Sequence, residues 1–351
     1  MPKRNAKNTS EKHHLRVLVT GGTGFLGKRL VQKLLAEGND VIVFSRHLHD
    51  DLPEDVKPVL GDIRDKGALR KAFEKIDVVY HLAICLNESD PDMREINVKG
   101  TQNVAELCKE SGVKRLVYMS SSGVLGETDA PAEEDFDYNP KTGYEKSKME
   151  GEMIVKQSSV PYTIIRTTII IGPNLIWAQI FEAAKRGYPI IGSGKNYFHL
   201  VYADDVVEML DIIKDNEKAA NQTFHVASKD TPTYGEVYGI ICRELNVKMT
   251  EKHVPLTFAY LASYLHTILR RIRGKQPSLT KSRSSIDRLV RNRIISTKKA
   301  KALLGFEAKY STRQAIQETI KYLKIARLGY SDYELAEVHK AKNGDSEVPR
   351  K

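Results

Sequence analysis

Cysteine is scarce in this sequence of 351 residues, and long apolar runs are missing from it. The three cysteines, Cys85, Cys108 and Cys242, are scattered without the spacing of metal ligands. We therefore predict no metal site and no disulfide framework, and this cysteine usage is typical of a reducing compartment. No apolar run approaches the roughly 20 residues that span a bilayer, and the polar, basic start of the chain is unlike a signal peptide. The expected location is the cytoplasm.

Acidic residues are too few to balance the basic ones, which gives the chain a net charge of +10. The excess lies in residues 1–16 and above all in residues 251–301, which contain thirteen Lys or Arg against Glu251 and Asp287. The rest of the chain is net acidic. Because no recognised nucleic-acid-binding module surrounds either basic segment, we do not expect nucleic acid as a partner.

The N-terminal half alternates short apolar segments with helical patterns. The predicted strands are Leu15–Thr20, Val41–Phe44, Lys57–Leu60, Asp77–His81, Arg115–Met119 and Tyr162–Arg166. The predicted helices are Lys28–Glu37, Ala68–Glu74, Asn97–Ser111 and Tyr144–Gln157. Strands that are apolar throughout and alternate with helices indicate a parallel sheet covered on both faces. The predicted fold class is therefore α/β, a doubly wound parallel sheet of the Rossmann type.

The pattern changes after Gly172-Pro173, where longer helices and isolated strands such as Gln222–Ala227 follow. We predict a dinucleotide-binding domain over residues 15–170, to which the chain returns near 201–213. Residues 171–325 are predicted to form mainly a smaller, C-terminal substrate-binding lobe. The basic tail of residues 1–14 and the polar tail of residues 339–351 are expected to be disordered.

A glycine-rich turn directly follows the first predicted strand, with glycines at positions 21, 24 and 27. Gly21 permits a tight turn, Gly24 the close approach of a pyrophosphate, and Gly27 close packing of the next helix on the strand. The phosphates would lie at the positive end of that helix. An ordinary glycine-rich loop is the alternative, but the order of strand, turn and helix predicts a dinucleotide site.

The end of the second predicted strand indicates which dinucleotide is bound. NAD sites carry an acidic residue there, whereas this chain has Ser45 followed by Arg46. A serine and a guanidinium accept a 2′-phosphate that a carboxylate would repel, so we expect NADP, with NAD as the alternative. Asp62, after the third strand, is expected either to bind the adenine amino group or to cap the next helix.

Tyr144 and Lys148 begin the long fourth helix, one turn apart on the same face. A tyrosine with a pKa near 10 is a poor base at neutral pH, and a nearby ammonium together with a positive nicotinamide favours its phenolate. Ser121, at the end of the fifth strand, is a candidate to hydrogen-bond the same substrate oxygen. A Tyr-x-x-x-Lys pair alone is a weak signal, but its combination with the glycine turn is specific.

With these motifs, residues 15–325 resemble the extended short-chain dehydrogenase/reductases, the superfamily of nucleotide-sugar epimerases, dihydroflavonol reductases and 3β-hydroxysteroid dehydrogenases. The motifs that carry the resemblance are Gly61-Asp62-Ile63, His81-Leu82-Ala83, Asn97–Thr101, Ser120–Gly126, Tyr144–Lys148, Ile165-Arg166, Gly172-Pro173, Val201–Val206 and Leu303–Phe306. The resemblance implies that Tyr144 is the acid/base, that Lys148 lowers its pKa and binds the nicotinamide ribose, and that Ser121 binds the substrate oxygen.

The resemblance also implies the remaining site residues and the assembly. Asn97 would support the site, and Leu82 and Ala83 would line the cofactor. The full set of expected cofactor-binding residues is Gly21, Thr23, Gly24, Phe25, Leu26, Gly27, Ser45, Arg46, Asp62, Ile63, Leu82, Ala83, Asn97, Tyr144 and Lys148. Two copies of the chain are expected to pair through the helices Val98–Glu110 and Tyr144–Gln157.

Two departures from the family bear on the substrate. Thr167 follows Arg166 where many members have proline, and Thr167–Ile171 lacks the aromatic-Asn pair with which sugar-nucleotide epimerases hold a diphosphate. We therefore expect an NADP(H)-dependent oxidoreductase that moves a hydride between the nicotinamide and a secondary alcohol or ketone of a small apolar substrate. The alternatives are a nucleotide-sugar epimerase or dehydratase that retains NAD, and a non-catalytic dinucleotide-binding regulator.

A basic, apolar segment, residues 255–273, has apolar side chains at helical spacing and ends in Arg270, Arg271 and Arg273. It is expected to be a lobe helix packed beside the substrate cleft. The alternative is a helix that lies on a membrane surface, with its apolar residues in the interface and its arginines on anionic headgroups. That alternative would suit a lipid-like substrate drawn from the bilayer.

Overall fold

The computed structural model describes residues 14–47, 52–272 and 279–327. The strands are β1 (Arg16–Thr20), β2 (Asp40–Ser45), β3 (Lys57–Leu60), β4 (Val78–His81), β5 (Arg115–Ser121), β6 (Tyr162–Thr167), β7 (Ile169–Ile171), β8 (Ile190–Ile191), β9 (Leu200–Tyr202), β10 (Gln222–Val226) and β11 (His253–Val254). Three predictions fall outside the described residues. They concern the C-terminal tail of residues 339–351, residues 1–13 of the N-terminal tail, and Arg273.

The helices pack around the strands in the order that the sequence predicts for the N-terminal half. They are α1 (Phe25–Ala36), α2 (Lys66–Arg70), α3 (Gly100–Glu110), α4 (Gly143–Gln157), α5 (Leu175–Lys185), α6 (Ala203–Ile212), α7 (Tyr234–Glu244), α8 (Leu256–Ile272), α9 (Leu279–Val290), α10 (Lys298–Leu304) and α11 (Thr312–Arg327). A π-helical turn, Glu95–Lys99, leads directly into α3. The predicted pairing of two copies through α3 and α4 stays a prediction.

Seven strands form one sheet in the order β10-β6-β5-β4-β1-β2-β3, and every pair in it is parallel. The chain moves outward from β1 to one edge and then returns to build the other, which is the doubly wound arrangement that the sequence predicts. The carboxyl ends of β1 and β4 therefore meet beside the point where the strand order reverses. In sheets of this kind the ligand binds at that edge.

Strand β10 belongs to the large sheet and not, as the sequence pattern suggests, to the C-terminal lobe. The segment predicted as an isolated strand of the lobe, β10, pairs with β6, and Phe224 stands opposite Ile165. The side chains of Phe224 and Val226 are fully buried in the same core as α1 and α6. The strand joins the sheet because β6 would otherwise leave an edge with unpaired backbone groups.

The four predicted helices also begin at other residues than expected; the third begins at Gly100 instead of Asn97 and the fourth at Gly143 instead of Tyr144. The first begins at Phe25 instead of Lys28, because Gly24 adopts the extended backbone of an N-cap. The second ends at Arg70 and begins at Lys66, because the Asp65 carboxylate accepts hydrogen bonds from the backbone amides of Gly67 and Ala68. Asp62, which the sequence suggests as a cap, is therefore not the cap of that helix.

The described residues form four apolar cores, of which three are large. The core on one face of the sheet contains side chains of α1 and α6, and the core on the other face contains side chains of α2, α3 and α4. The third core belongs to the C-terminal lobe, where α5, α7 and α11 pack around Trp177, Phe198 and Tyr238. Among residues 14–47, 52–272 and 279–327, no helix combines the length and the apolar character needed to cross a membrane.

A buried ion pair fixes α4 to the sheet. The Glu152 carboxylate accepts two hydrogen bonds from the Arg166 guanidinium, at 2.9 and 2.8 Å, and both side chains are almost completely excluded from solvent. It also accepts hydrogen bonds from the hydroxyls of Ser120 on β5 and Tyr138. The Arg166 guanidinium and these hydrogen bonds lower the pKa of Glu152 against the opposing effect of burial. The carboxylate is therefore charged and fully satisfied inside the fold.

We expect Glu152→Gln to lower the free energy of unfolding by about 3–5 kcal/mol, because it leaves a buried guanidinium without its counter-charge. Glu150→Gln is the matched control on the same helix, since Glu150 pairs with an exposed Arg94 and its loss costs under about 1 kcal/mol. Urea titration of the two variants provides the comparison. Equal destabilisation by both would show that the buried pair has no special role.

Candidate active site

The glycine turn after β1 forms a cradle of close backbone contacts. Gly21 has φ +73°, and a Cβ there would lie 2.7 Å from the backbone nitrogen of Ala83 at the end of β4. A Cβ on Gly27 would overlap the carbonyl oxygen of Gly21, so the first turn of α1 packs directly on the loop. Gly22, which the sequence analysis leaves aside, is equally constrained, because its Cβ would lie 2.7 Å from a methyl of Val43.

The N-terminus of α1 is suited to bind phosphate. Gly24 caps the helix without a side chain, and the first-turn amides of any helix lack intrahelical acceptors. Thr23, Phe25 and Leu26 belong to the same turn and helix start, and a Cβ on Gly172 would lie 2.6 Å from the Phe25 ring. The residues present therefore fit a dinucleotide whose pyrophosphate lies on this helix end.

The ends of β2 and β3 bring Ser45, Arg46 and Asp62 to the same edge. The Ser45 hydroxyl donates to the carbonyl oxygen of His47 at 2.7 Å, and Arg46 is exposed. The Asp62 carboxylate accepts hydrogen bonds from the Arg64 guanidinium, which lowers the pKa of Asp62. Asp62 is thus half-exposed and already paired with a cation.

Of the other residues expected to line the cofactor, Ile63 turns its side chain inward. It is buried in the core and lies against Gly100, where a Cβ would be 2.6 Å away. Only the backbone of Ile63 is therefore available to a ligand. Leu82 and Ala83 follow β4 directly and adjoin Gly21, and their cofactor-lining role stays a prediction.

A buried hydrogen-bonded chain connects β1, β4 and α3 beneath the glycine turn. The Thr101 hydroxyl donates its proton to the carbonyl oxygen of Asn97, so its oxygen must accept the hydrogen bond from Nε2 of His81. Because Nε2 then carries the imidazole proton, Nδ1 of His81 accepts a hydrogen bond from the Thr20 hydroxyl. Burial and the Lys148 ammonium lower the pKa of His81 to about 3. The neutral imidazole therefore has one tautomer and acts as a structural bridge.

Asn97 joins the loop after β4 to the catalytic helix. Its side-chain amide donates to the carbonyl oxygen of Cys85 and to the Ser147 hydroxyl, each at 3.0 Å, and its oxygen accepts from the backbone nitrogen of Cys85. Ser147 in turn donates to the carbonyl oxygen of Tyr144. Asn97 thus lies two hydrogen bonds from Tyr144, a position that suits a supporting residue.

The structure brings Ser121 and Tyr144 together at the carboxyl end of β5. The Ser121 hydroxyl acts to lower the pKa of the nearby Tyr144 phenol, and the Ser121 oxygen accepts a hydrogen bond from the backbone nitrogen of Gly123 at 3.1 Å. Ser122 is buried. Burial raises the pKa of Tyr144 to about 12, and the guanidiniums of Arg288 and Arg293 act in the opposite direction.

Lys148 lies one turn further along α4 and is 3% exposed. Its ammonium donates to the carbonyl oxygen of Met119 at 2.5 Å and lies 4.7 Å from the centre of the Tyr118 ring. Burial lowers the pKa of Lys148 to about 7, although the Glu152 carboxylate acts in the opposite direction. The lysine is therefore held where a small change in its surroundings alters its charge at neutral pH.

An arginine cluster from the C-terminal lobe borders this site, and the sequence analysis did not find it. Glu145, next to Tyr144, forms ion pairs with Arg293 and, at 3.5 Å, with Arg291. The same carboxylate accepts hydrogen bonds from the backbone amides of Lys141 and Thr142, and the bond from Thr142 completes a capping box at the start of α4. The sequence Thr142-x-x-Glu145 was a usable signal for the cap, whereas the arginines are about 150 residues away and left none.

Within the described ranges, no group of three His, Cys, Asp or Glu side chains has the arrangement of a metal site. The parallel sheet, the glycine cradle and the Ser121, Tyr144 and Lys148 set define a dinucleotide-dependent enzyme of the extended short-chain dehydrogenase/reductase class. Comparison with known proteins agrees, because residues 17–227 match the model of the NAD dependent epimerase/dehydratase family. The chain belongs to this family, and its cofactor is a nicotinamide dinucleotide.

Two curated relatives span nearly the whole chain. The sterol-4-alpha-carboxylate 3-dehydrogenase (decarboxylating) of Saccharomyces cerevisiae is 30% identical, over 88% of this chain and 97% of the relative. The N-acetyl-alpha-D-glucosaminyl-diphospho-ditrans,octacis-undecaprenol 4-epimerase of Escherichia coli O157:H7 is 27% identical, over 87% and 94%. Among solved structures, the Bordetella bronchiseptica enzyme WbmG in complex with NAD has a TM-score of 0.72 at 20% identity, over 90% of this chain and 96% of that one. That structural likeness supports the fold.

We expect Lys148→Met to stabilise the cofactor-free protein while abolishing activity. The pKa of Lys148 is about 7 in the folded protein against 10.5 for an exposed lysine, so the folded state binds fewer protons between these values. The penalty of burying the ammonium is therefore greatest below pH 7 and falls as the pH rises toward 10.5. At pH 6 the free energy of unfolding of the variant should exceed that of the wild type by about 2 kcal/mol, a value that allows for the lost hydrogen bond to Met119. At pH 10 the two proteins should be almost equally stable.

Denaturant unfolding of both proteins at pH 6, 8 and 10 measures this difference. The wild type at the same pH is the control, because every other titrating group is shared. A difference that does not change with pH would mean that the pKa of Lys148 is not depressed in the folded protein.

Proposed function

We propose that this chain is an NADP(H)-dependent oxidoreductase that moves a hydride between the nicotinamide and a secondary alcohol or ketone carbon of a small, apolar substrate. The observation that carries the proposal is the convergence of Ser121, Tyr144 and Lys148 at the carboxyl edge of the sheet, beside the glycine cradle. A protein that only binds a dinucleotide has no need of this set. The regulator alternative is therefore disfavoured.

The proposed roles follow from the chemistry of each group. The nicotinamide supplies or accepts the hydride at its C4 when bound. During alcohol oxidation the carbinol carbon loses its hydride and Tyr144 takes the hydroxyl proton, which leaves the ketone, and reduction is the reverse. Ser121 holds the substrate oxygen, and Lys148 supports the phenolate electrostatically.

The preference for NADP over NAD rests on the edge formed by β2 and β3. Ser45 and the exposed Arg46 stand where an NAD site has an acidic residue. The Asp62 carboxylate at this edge is already paired with Arg64, which also pairs with Asp92. Ser45 and the Arg46 guanidinium therefore favour a 2′-phosphate, since charge-assisted hydrogen bonds to arginine are strong.

An apolar substrate is supported by the segment after β6 and by the yeast relative. Thr167 and Thr168 are buried where sugar-nucleotide epimerases hold a diphosphate, which leaves little polar surface for one. The yeast relative is named as a 3-dehydrogenase of a sterol-4-alpha-carboxylate, whose sterol skeleton is apolar although it carries a carboxylate. We propose a substrate of this general kind, in which the reacting group is borne by an apolar skeleton.

The arginine cluster favours a second candidate function, an epimerase or dehydratase that retains NAD. Arg288 and Arg293 lie close enough to Tyr144 to lower its pKa, and guanidiniums at that position suit an anionic substrate group. The E. coli relative is named as an epimerase of a diphospho-linked sugar. Such enzymes regenerate their cofactor in each turnover and therefore show no net change in reduced-nicotinamide absorbance.

Nucleotide binding to the purified protein distinguishes these functions. We expect an empty site that binds NADPH more tightly than NADH, and Arg46→Ala should remove about tenfold of that preference, or roughly 1.4 kcal/mol. Arg70→Ala is a matched control, because Arg70 is likewise exposed but pairs with Glu110 on α3. Tightly bound NAD⁺ released on denaturation would instead support the epimerase or dehydratase.

Replacement of the acid/base gives the second test of this proposal. Tyr144→Phe should change NADPH affinity by no more than a few-fold, because the aromatic ring is kept, and should lower kcat for the reduction of hydrophobic ketones by about 10²–10⁴-fold, since it removes the proton that the ketone oxygen must receive. Stopped-flow absorbance of the reduced nicotinamide measures the rate, and a fluorescence titration measures the affinity. Unchanged kcat in this variant would exclude Tyr144 as the acid/base.

A further inference from the structure

Helix α8 turns an apolar face outward. Phe258, Leu261 and Leu265 are 63%, 52% and 49% exposed, and Tyr264 is half-exposed as well. At 100° per residue these side chains fall in one arc of roughly 160°, together with the exposed Ala262. Single exposed apolar residues are ordinary on a protein surface, but a continuous stripe of this kind marks an interaction site.

The opposite face of α8 is anchored to the fold, so the outward orientation is fixed. Ala259 is buried, and the Tyr260 hydroxyl donates to the Asp287 carboxylate of α9 at 2.5 Å. The Arg283 guanidinium lies 5.7 Å from the centre of the Tyr260 ring. The more polar side of an apolar helix therefore faces the protein, which is the reverse of a lobe helix that covers a core.

The charge of the sequence around α8 points to its partner. The sequence of α8 has no acidic residue and carries Arg270 and Arg271 in its last turn, and residues 251–301 are strongly basic, whereas the chain outside residues 1–16 and 251–301 is net acidic. A second copy of the same face would bring like charges together. A bilayer with anionic headgroups offers both an apolar interior and the opposite charge.

We propose that the outward face of α8 is a docking surface for an anionic bilayer, with Phe258, Leu261 and Leu265 inserted among the headgroups. The helix lies along the membrane surface and does not cross it. Docking goes beyond the proposed function and does not depend on it, since it requires neither cofactor nor turnover.

A chain of contacts connects the docking helix to the catalytic helix. Tyr260 of α8 binds Asp287, Asp287 pairs with Arg291 at 3.0 Å, and Arg291 pairs with Glu145 at 3.5 Å. Glu145 is the neighbour of Tyr144 in the chain and caps its helix. Membrane contact and chemistry are therefore parts of one packed unit, and an amphiphilic substrate held at the bilayer surface lies close to the site.

Co-sedimentation with vesicles tests the proposal directly. The full chain is mixed with vesicles of phosphatidylcholine alone or of phosphatidylcholine with phosphatidylglycerol. We expect binding to the anionic vesicles that weakens with salt, and Phe258→Asp combined with Leu261→Asp should lower the partition coefficient at least tenfold. Tyr322→Asp on α11 is the matched control, because Tyr322 is 52% exposed, and it should bind like the wild type.

A second variant tests the electrostatic part without altering the apolar stripe. Arg270→Glu combined with Arg271→Glu should weaken binding to anionic vesicles several-fold and reduce its dependence on salt. NADPH affinity and thermal unfolding, measured without vesicles, show that each variant is folded. Because vesicle binding is independent of activity, its outcome is separate from that of the proposed function.

Three results would overturn docking. The first is a wild type that ignores anionic vesicles, and the second is equal binding by the α8 variants and the wild type. The third comes from light scattering: if Phe258→Asp with Leu261→Asp converts a dimer to monomers, the face is a subunit interface instead.

Discussion

The buried carboxylate of Glu152 is the charge on which the arrangement of the site depends. It lies inside the protein with Arg166 as its counter-charge and with the hydroxyls of Ser120 and Tyr138 as donors. These contacts fix α4 against β5 and β6 at once, so the distance between Ser121 and Tyr144 follows from the position of one side chain. Glu152 also lies one turn beyond Lys148 and acts against the effect of burial on the lysine pKa. A single buried charge thus anchors the catalytic helix to the sheet and also acts on the pKa of Lys148.

The protein alone leaves the catalytic pair incompletely tuned, and this has a physical reason. Burial raises the pKa of Tyr144 to about 12 and lowers that of Lys148 to about 7, so near neutral pH the tyrosine is neutral and the lysine is only partly charged. Arg288 and Arg293 partly compensate, because their fixed positive charge favours the phenolate. The chain therefore supplies a dry site, two oriented groups and a bordering positive field, and a positively charged nicotinamide favours the phenolate further. We therefore expect the catalytic tyrosine to be fully tuned only when the oxidised nicotinamide is bound.

Much of the fold, and the core of the site, could be predicted because their signals are local. The six N-terminal strands, the glycine turn and the pairing of Tyr144 with Lys148 each depend on residues close together in the sequence. The position of β10 could not be predicted, because an apolar strand of five residues does not reveal which edge it joins. The Thr20–His81–Thr101 chain and the Glu145–Arg293 pair were missed for the same reason. Long-range contacts depend on packing that no local spacing encodes.

The basic segment shows most clearly what a structure adds to a pattern. The periodicity of residues 255–273 predicts a helix with one apolar face, expected to pack beside the substrate cleft, but it does not say which way that face points. The hydrogen bond from Tyr260 to Asp287 fixes the polar side inward, and the apolar stripe is left exposed. In our proposals the basic residues of the segment 251–301 have two roles. Arg288 and Arg293 act on the pKa of Tyr144, and the net positive charge of the segment favours an anionic surface for the apolar stripe of α8. We therefore propose that the charge excess serves both the active site and membrane docking.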